Sequence, residues 1–196
     1  MSDTDPKPIA SRQVAYLSGS ALSPAPHSPV ARARRSAAEE RIAPADPAVH
    51  VVTDFTWEEP LTVSEDRCID EALREMMHAG VHALLVVQGP VITGLITSYD
   101  VQGERASRFL RRSRYTRRDE IEVGQIMTPW DRVPTLDWQY VRTTHVSDIV
   151  RFFHTALATH AVIVEYADQG GMFVRGVISR LRLERQLGYS IDHPER

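Results

Sequence analysis

Two heptapeptides decide the fold: Gly94-Leu95-Ile96-Thr97-Ser98-Tyr99-Asp100 and Gly176-Val177-Ile178-Ser179-Arg180-Leu181-Arg182. Each runs glycine, two aliphatic residues and a hydroxyl residue, and then turns into a helix-like stretch. Working outward toward the N-terminus, each is preceded by a continuous apolar run, Ala83-Leu84-Leu85-Val86-Val87 and Ala161-Val162-Ile163-Val164. Such runs are typical of buried strands. Gly89-Pro90 marks the turn in the first half. Further out, Ile69, Ala72, Leu73, Met76 and Met77 recur at the spacing of one helical face, as do Val146, Ile149, Val150, Phe153 and Leu157. Ser64 or Asp66 is the expected cap of the first helix, and Gly80 its C-terminal stop. Leu61-Thr62-Val63 and Pro134-Thr135-Leu136 read as short strands. Val51-Val52-Thr53-Asp54 and Ile126-Met127-Thr128-Pro129 open the two halves. The order strand, helix, strand, strand, helix thus occurs twice, at an offset of roughly 77 residues that rises to roughly 82 at the glycine, which makes it an internal repeat. Asp168-Gln169-Gly170-Gly171 accounts for the longer second hairpin.

The repeat predicts an α+β fold. Each half is under about 70 residues and marginal as a lone core, so the halves are expected to pack together with pseudo-two-fold symmetry, leaving clefts at the junction. The expected division is an N-terminal tail over 1–47, a first repeat with its linker helix over 48–118, and a second repeat over 119–196. The tail is read as disordered or weakly ordered, since Pro24, Pro26, Pro29, Pro44 and Pro47 are interspersed with Ala, Ser and Arg. A short exposed helix over 30–42 is the alternative there. Val49-His50-Val51-Val52 is β-prone, and one helix is expected from Asp100 to about Arg112.

Composition narrows the function. Of 196 residues, 42% are hydrophobic and 25% charged, with a formal net charge of -3, so nothing at whole-chain level points to nucleic acid or anionic membrane. No apolar run approaches the roughly 20 residues needed to span a bilayer. The polar start lacks a secretory h-region, and the single Cys68 fits a reducing compartment, so a cytoplasmic location is expected. The sequence holds no H-E-x-x-H, G-x-S-x-G, Walker A or G-x-G-x-x-G motif, so no catalytic residues, catalytic cofactor or metal site are expected and the chain is read as not an enzyme.

The repeated unit ending in Gly-Leu-Ile-Thr-Ser-Tyr-Asp, with the entry Ile126-Met127-Thr128-Pro129, resembles a CBS domain (cystathionine β-synthase domain), and two in tandem resemble a Bateman module. The resemblance covers about residues 49 to 190. It implies a regulatory module that binds AMP, ADP or ATP, or less often S-adenosylmethionine or NAD, in the cleft between the repeats.

Physically, Thr97 and Asp100 fall at a strand end and helix start. A hydroxyl and free backbone N–H groups there suit a phosphate, and a carboxylate can accept from both ribose hydroxyls. Helix capping is the alternative role for Asp100. Ser98 lies between the two and is counted with them. The resemblance adds Thr128 and Val133 near the adenine, Ile96 packed on the base, Thr159 before the second central strand, and His82 as a phosphate contact or an ordinary histidine. In the mirror motif Ser179 keeps the hydroxyl, but Arg182 stands where Asp is expected. An arginine cannot accept from ribose; it pairs with phosphate or is solvated.

Arg105, Arg108, Arg111, Arg112, Arg114, Arg117 and Arg118 form a basic cluster. A solvated linker helix is the favoured reading, and a nucleic-acid-associated or purely structural partner-binding protein the rival function. The working expectation is a homodimer formed by the two apolar-faced helices, including Phe152, which signals to an unidentified effector protein by a population shift.

Overall fold

The computed structural model describes residues 15–17, 41–113, 115, 117–167 and 171–192. In chain order the strands are β1 (Ala15–Leu17), β2 (Thr53–Asp54), β3 (Thr62–Ser64), β4 (Ala83–Gln88), β5 (Val91–Thr97), β6 (Thr128–Pro129), β7 (Thr135–Asp137), β8 (His160–Ala167) and β9 (Gly171–Ser179). The helices are α1 (Ile69–Ala79), α2 (Ser98–Gln102), α3 (Glu104–Arg112), α4 (Val123–Ile126), α5 (Trp138–Thr143), α6 (Val146–Ala156) and α7 (Arg180–Leu187).

The chain folds as two compact units, and their limits differ from the 48–118 and 119–196 division expected from the repeat. One unit comprises Pro60–Val133 with β1; the other takes in 41–59 and the chain from Pro134 onward. The entry strands cause the shift. β6, at the start of the second repeat, pairs antiparallel with β5 of the 60–133 unit, Leu95 opposite Thr128. β2, at the start of the first repeat, pairs with β9 of the 134–192 unit, Thr53 opposite Val177. Each entry strand therefore completes the sheet beside the other repeat's motif, which no local sequence pattern reveals.

Within the 60–133 unit, β3 runs parallel to β4, and β4 is antiparallel to β5. The 134–192 unit repeats this with β7, β8 and β9. Each unit buries its own core: Ile69, Met76, Leu84, Ile96, Val101 and Ile126 in the first, and Leu136, Ile149, Phe153, Ile163, Ile178 and Leu183 in the second.

Local differences from the sequence reading have local causes. Cys68, not Ser64 or Asp66, caps α1, its Sγ accepting from the Asp70 N–H; the Ser64 hydroxyl instead donates to Asp66. Gly80 ends α1 in the left-handed region at φ 69°. Met77, assigned to the core by spacing, is 71% exposed, and Leu157, past the end of α6 at φ 50°, is 81% exposed. Both lie at a helix end, where the apolar face has drifted off the core. Phe152, expected on a dimer surface, packs edge-on against Phe153 and the core. The β-prone run at 49–52 is mostly a short 3-10 helix, Ala48–Val51, that buries Ala48 and Val51. The helix expected from Asp100 is divided into α2 and α3 at Gly103. The second half also inserts α5 between strand and helix, which is why its early strand falls out of the 77-residue offset.

The expected tail is partly structured. Ala15–Leu17 forms β1, antiparallel to β5 with Ala15 opposite Ile92. Residues 42–47 dock onto the 134–192 unit: the Ile42 N–H donates to the Gln186 carbonyl, and Pro44 and Asp46 accept from the first N–H groups of α6. The rest of 1–40, Arg114 and residues 168–170 of the hairpin lie outside the described residues.

Candidate functional site: a carboxylate and a guanidinium at equivalent positions

In the 60–133 unit, β5 delivers Thr97 and α2 delivers Asp100, and the two form a reciprocal cap. The Asp100 N–H donates to Thr97 Oγ1 at 3.2 Å, while Thr97 donates through its N–H (2.9 Å) and its hydroxyl (2.7 Å) to Asp100 Oδ2. The capping reading of Asp100 therefore describes a real part of its role. Its second oxygen, Oδ1, faces Arg105 of α3, whose Nη1 donates at 2.7 Å to Asp100 and at 2.9 Å to the Thr128 hydroxyl on β6. Residues 97, 100, 105 and 128 thus form one hydrogen-bonded group. Sequence reasoning placed Arg105 only in a basic cluster. Five residues after Asp100 is more than one helical turn, and the kink at Gly103 is what turns its side chain back.

The free N–H groups expected at the start of α2 are in part already used. Ser98 N–H donates to the His82 carbonyl at 2.9 Å, and Asp100 N–H to Thr97. His82 is therefore tied to the motif through its backbone, with its side chain half-buried. Ser98 is 8% exposed and Val133 6%. Ile96 is wholly buried among Met76, Leu84 and their neighbours, so it offers no face to a base. The alternation of β5 turns it inward. Gly94 has a steric reason: a Cβ there would stand 2.5 Å from the Thr128 carbonyl oxygen and 2.9 Å from Met127 Sδ. Only glycine lets β6 lie this close.

The 134–192 unit repeats the frame with different chemistry. A Cβ at Gly176 would stand 2.4 Å from the Thr53 carbonyl oxygen. The Arg180 N–H donates to the Thr159 carbonyl, the counterpart of Ser98 and His82. Thr159 thus sits with the second motif, in the other unit from Asp100. Ser179 precedes α7 without a side-chain cap bond. Arg182 Nη1 donates to the Thr53 hydroxyl at 2.6 Å, and its Nε is buried without a partner among the described residues. Burial holds this guanidinium below the ordinary arginine range, against a smaller upward pull from Glu58. Beside it, Arg175 of β9 donates to both oxygens of Asp54 and to Glu165, and its guanidinium lies 4.5 Å from the centre of the Trp138 ring.

The basic cluster is substantially neutralised by its neighbours. Arg105 pairs with Asp100, Arg108 with Glu104, Arg117 with Asp119 and Arg118 with Asp70. Among the described residues no group of three or more His, Cys, Asp or Glu is placed to hold a metal, and no helix is long and apolar enough to cross a membrane.

The fold and the repeated motif define a class, namely small α+β proteins made of two copies of one strand-helix-strand-strand-helix unit. The family model of the CBS domain matches residues 52–106, and this match, with solved structures of CBS domain pairs beside it, supports a tandem CBS-domain protein. Solved structures are similar to the chain. A putative signal-transduction protein with CBS domains from Burkholderia ambifaria is 23% identical, with 65% of this chain and 82% of that one covered at a TM-score of 0.48. CBSX2 from Arabidopsis thaliana, in complex with AMP, is 17% identical over 72% and 94% at 0.47. The CBS domain pair of protein MJ0100, in complex with 5′-methylthioadenosine and S-adenosyl-L-methionine, is 17% identical over 74% and 98% at 0.50. No curated protein matches the sequence.

Proposed function

We propose that the chain is a regulatory ligand-binding module whose 60–133 unit holds an adenine nucleotide, AMP, ADP or ATP, with Asp100 accepting from the ribose. The observation that carries this reading is the Asp100 carboxylate, held in place by Thr97 while Oδ1 accepts from the Arg105 guanidinium, which also bonds Thr128 on the neighbouring strand. A positioned carboxylate beside a hydroxyl and a guanidinium matches a ribose phosphate in hydrogen-bonding character. The MJ0100 pair, which shares the fold, was crystallised with two adenosine derivatives, so S-adenosylmethionine belongs in the test alongside NAD. The mirror position, with Ser179 and Arg182, lacks the carboxylate and is assigned no ribose.

The module carries out no chemistry of its own. It acts in the cytoplasm as a homodimer, and ligand shifts the population of its arrangements toward one that an effector protein reads. Met77 and Leu157, exposed at the ends of α1 and α6, belong to the dimer surface. Thermal unfolding with adenosine, AMP, ATP, S-adenosylmethionine and NAD tests the ligand: a bound ligand raises the midpoint with its concentration. A midpoint unmoved by all five rejects the reading. Sedimentation at micromolar concentration tests the dimer, and a monomer rejects it.

A further inference from the structure

We propose that Arg105 is a self-ligand of the Asp100 site: its guanidinium takes the acceptors a ribose would use, and a ligand displaces it, so that the site favours nucleotides, which offer it a phosphate, over nucleosides. The inference rests on the ribose reading of Asp100.

The argument is a count of lone pairs. A carboxylate has about four acceptor positions, two on each oxygen. At Asp100, Oδ2 receives two donors from Thr97, and Oδ1 receives Arg105. One position remains, whereas the two hydroxyls of a ribose require two. The Thr97 bonds belong to the cap that starts α2, so they stay. Arg105 is the donor that gives way. Its side chain is 44% exposed while that of Asp100 is 15% exposed, so the arginine can swing on its long stem and the aspartate cannot. Its release also frees the Thr128 hydroxyl, which receives the same Nη1.

What the displaced guanidinium meets then decides affinity. With a nucleoside it exchanges a carboxylate for water. With a nucleotide it exchanges a carboxylate for a phosphate, which its planar fork fits with two parallel bonds. A phosphate borne on the same ribose lies within reach of a side chain that starts at the ribose carboxylate. The 134–192 unit has a guanidinium on the equivalent threonine, Thr53, but it comes from Arg182, which forms no salt bridge among the described residues and feels Glu58 only through its charge. The competition is thus particular to the 60–133 unit.

Titration calorimetry of adenosine and of AMP on the wild-type chain, Arg105→Ala, Arg105→Lys and Asp100→Asn tests this. The expected result is that Arg105→Ala binds adenosine as well as the wild type or better and binds AMP more weakly, so the preference for AMP over adenosine falls by about tenfold or more. Arg105→Lys, which keeps the charge without the fork, falls between the two and decides the matter should Arg105→Ala not fold. A preference within about twofold of wild type in the arginine variants, with both ligands weakened in Asp100→Asn, overturns the role of Arg105 and leaves the ribose reading standing. Unchanged binding of both ligands in Asp100→Asn overturns the ribose reading, and with it this one, as does a wild-type chain that binds neither ligand.

Discussion

Arg182 Nη1 donates to the Thr53 hydroxyl at 2.6 Å, and these two residues are the counterparts, in the other repeat, of Asp100 and Thr128. The two units therefore solve the same junction of entry strand and motif with opposite charges on the motif residue. In one, Asp100 reaches its threonine through a third residue, Arg105; in the other, the arginine sits on the motif itself and bonds the threonine directly.

The Arg182 arrangement carries an unrewarded charge. Its Nε is buried without a partner among the described residues, and burial depresses the basicity of the group. Replacing a half-buried, unpaired charge by an apolar side chain of similar length is often neutral or stabilising. Arg182→Met is expected to unfold in denaturant at a free energy within about 1 kcal/mol of the wild type, or above it. A loss well beyond that would show that the Thr53 bond holds β2 in place.

Arg175 behaves in the opposite way. It links β9 to Asp54 and Glu165 and covers Trp138. Removing it leaves Asp54 half-buried without a cation, held only by its bonds from Thr56 among the described residues, so Arg175→Ala is expected to cost about 2–3 kcal/mol in chemical denaturation. Arg175→Lys should recover less than half of this, since an ammonium has neither the fork nor the flat face.

Asp54 also makes stability depend on pH. Burial raises its pKa, but hydrogen bonds from Thr56 and Arg175 and the charge of Arg175 more than offset this, and the folded value lies below the ordinary aspartate range. The stabilisation is present above the unfolded pKa near about 4 and is lost as pH falls through the lower folded value. Denaturation free energy should therefore drop below about pH 4, and Asp54→Asn should flatten that limb while lowering the plateau. A limb of unchanged slope would assign the acid sensitivity to other carboxylates, such as Asp148, whose pKa is also lowered, chiefly by its bond from Thr144.

The two motif glycines predict a steric effect. Gly94→Ala and Gly176→Ala each place a Cβ at 2.5 Å or less from a backbone oxygen of the entry strand. Each should destabilise by roughly 1–3 kcal/mol, the usual cost of overpacking where backbone must move. Denaturant midpoints on the two variants check this; unchanged midpoints would mean that β6 and β2 shift freely.

Truncation separates the two parts of the N-terminal region. Removing 1–40 spares the segment that docks on α6, whereas removing 1–47 strips the Pro44 and Asp46 carbonyls from the Val146 and Ser147 N–H groups and the Ile42 contact from the core. The longer deletion should melt several degrees below the shorter one, since each buried donor left unpaired costs about 1–3 kcal/mol. Equal melting temperatures would show that this docking adds no stability.

The sequence by itself determined the repeat, the α+β class, the buried strands β4, β5, β8 and β9, and the two motifs with their one departure at Arg182. These follow from local chemistry: apolar periodicity, glycine and turn residues, and hydroxyl or acidic residues at helix starts act within a few positions of one another. Even there the limit was visible at Met77, in the last turn of α1, and at Leu157, just past α6, where the side chains emerged into solvent. Only the tertiary structure decided which entry strand closes which sheet, that 42–47 is part of the fold, that Arg105 turns back onto Asp100 and Thr128, and that Arg182 reaches Thr53. Each of these joins residues brought together by strand pairing or a kinked helix, and a bond from residue 182 to residue 53 spans a separation over which no spacing rule operates.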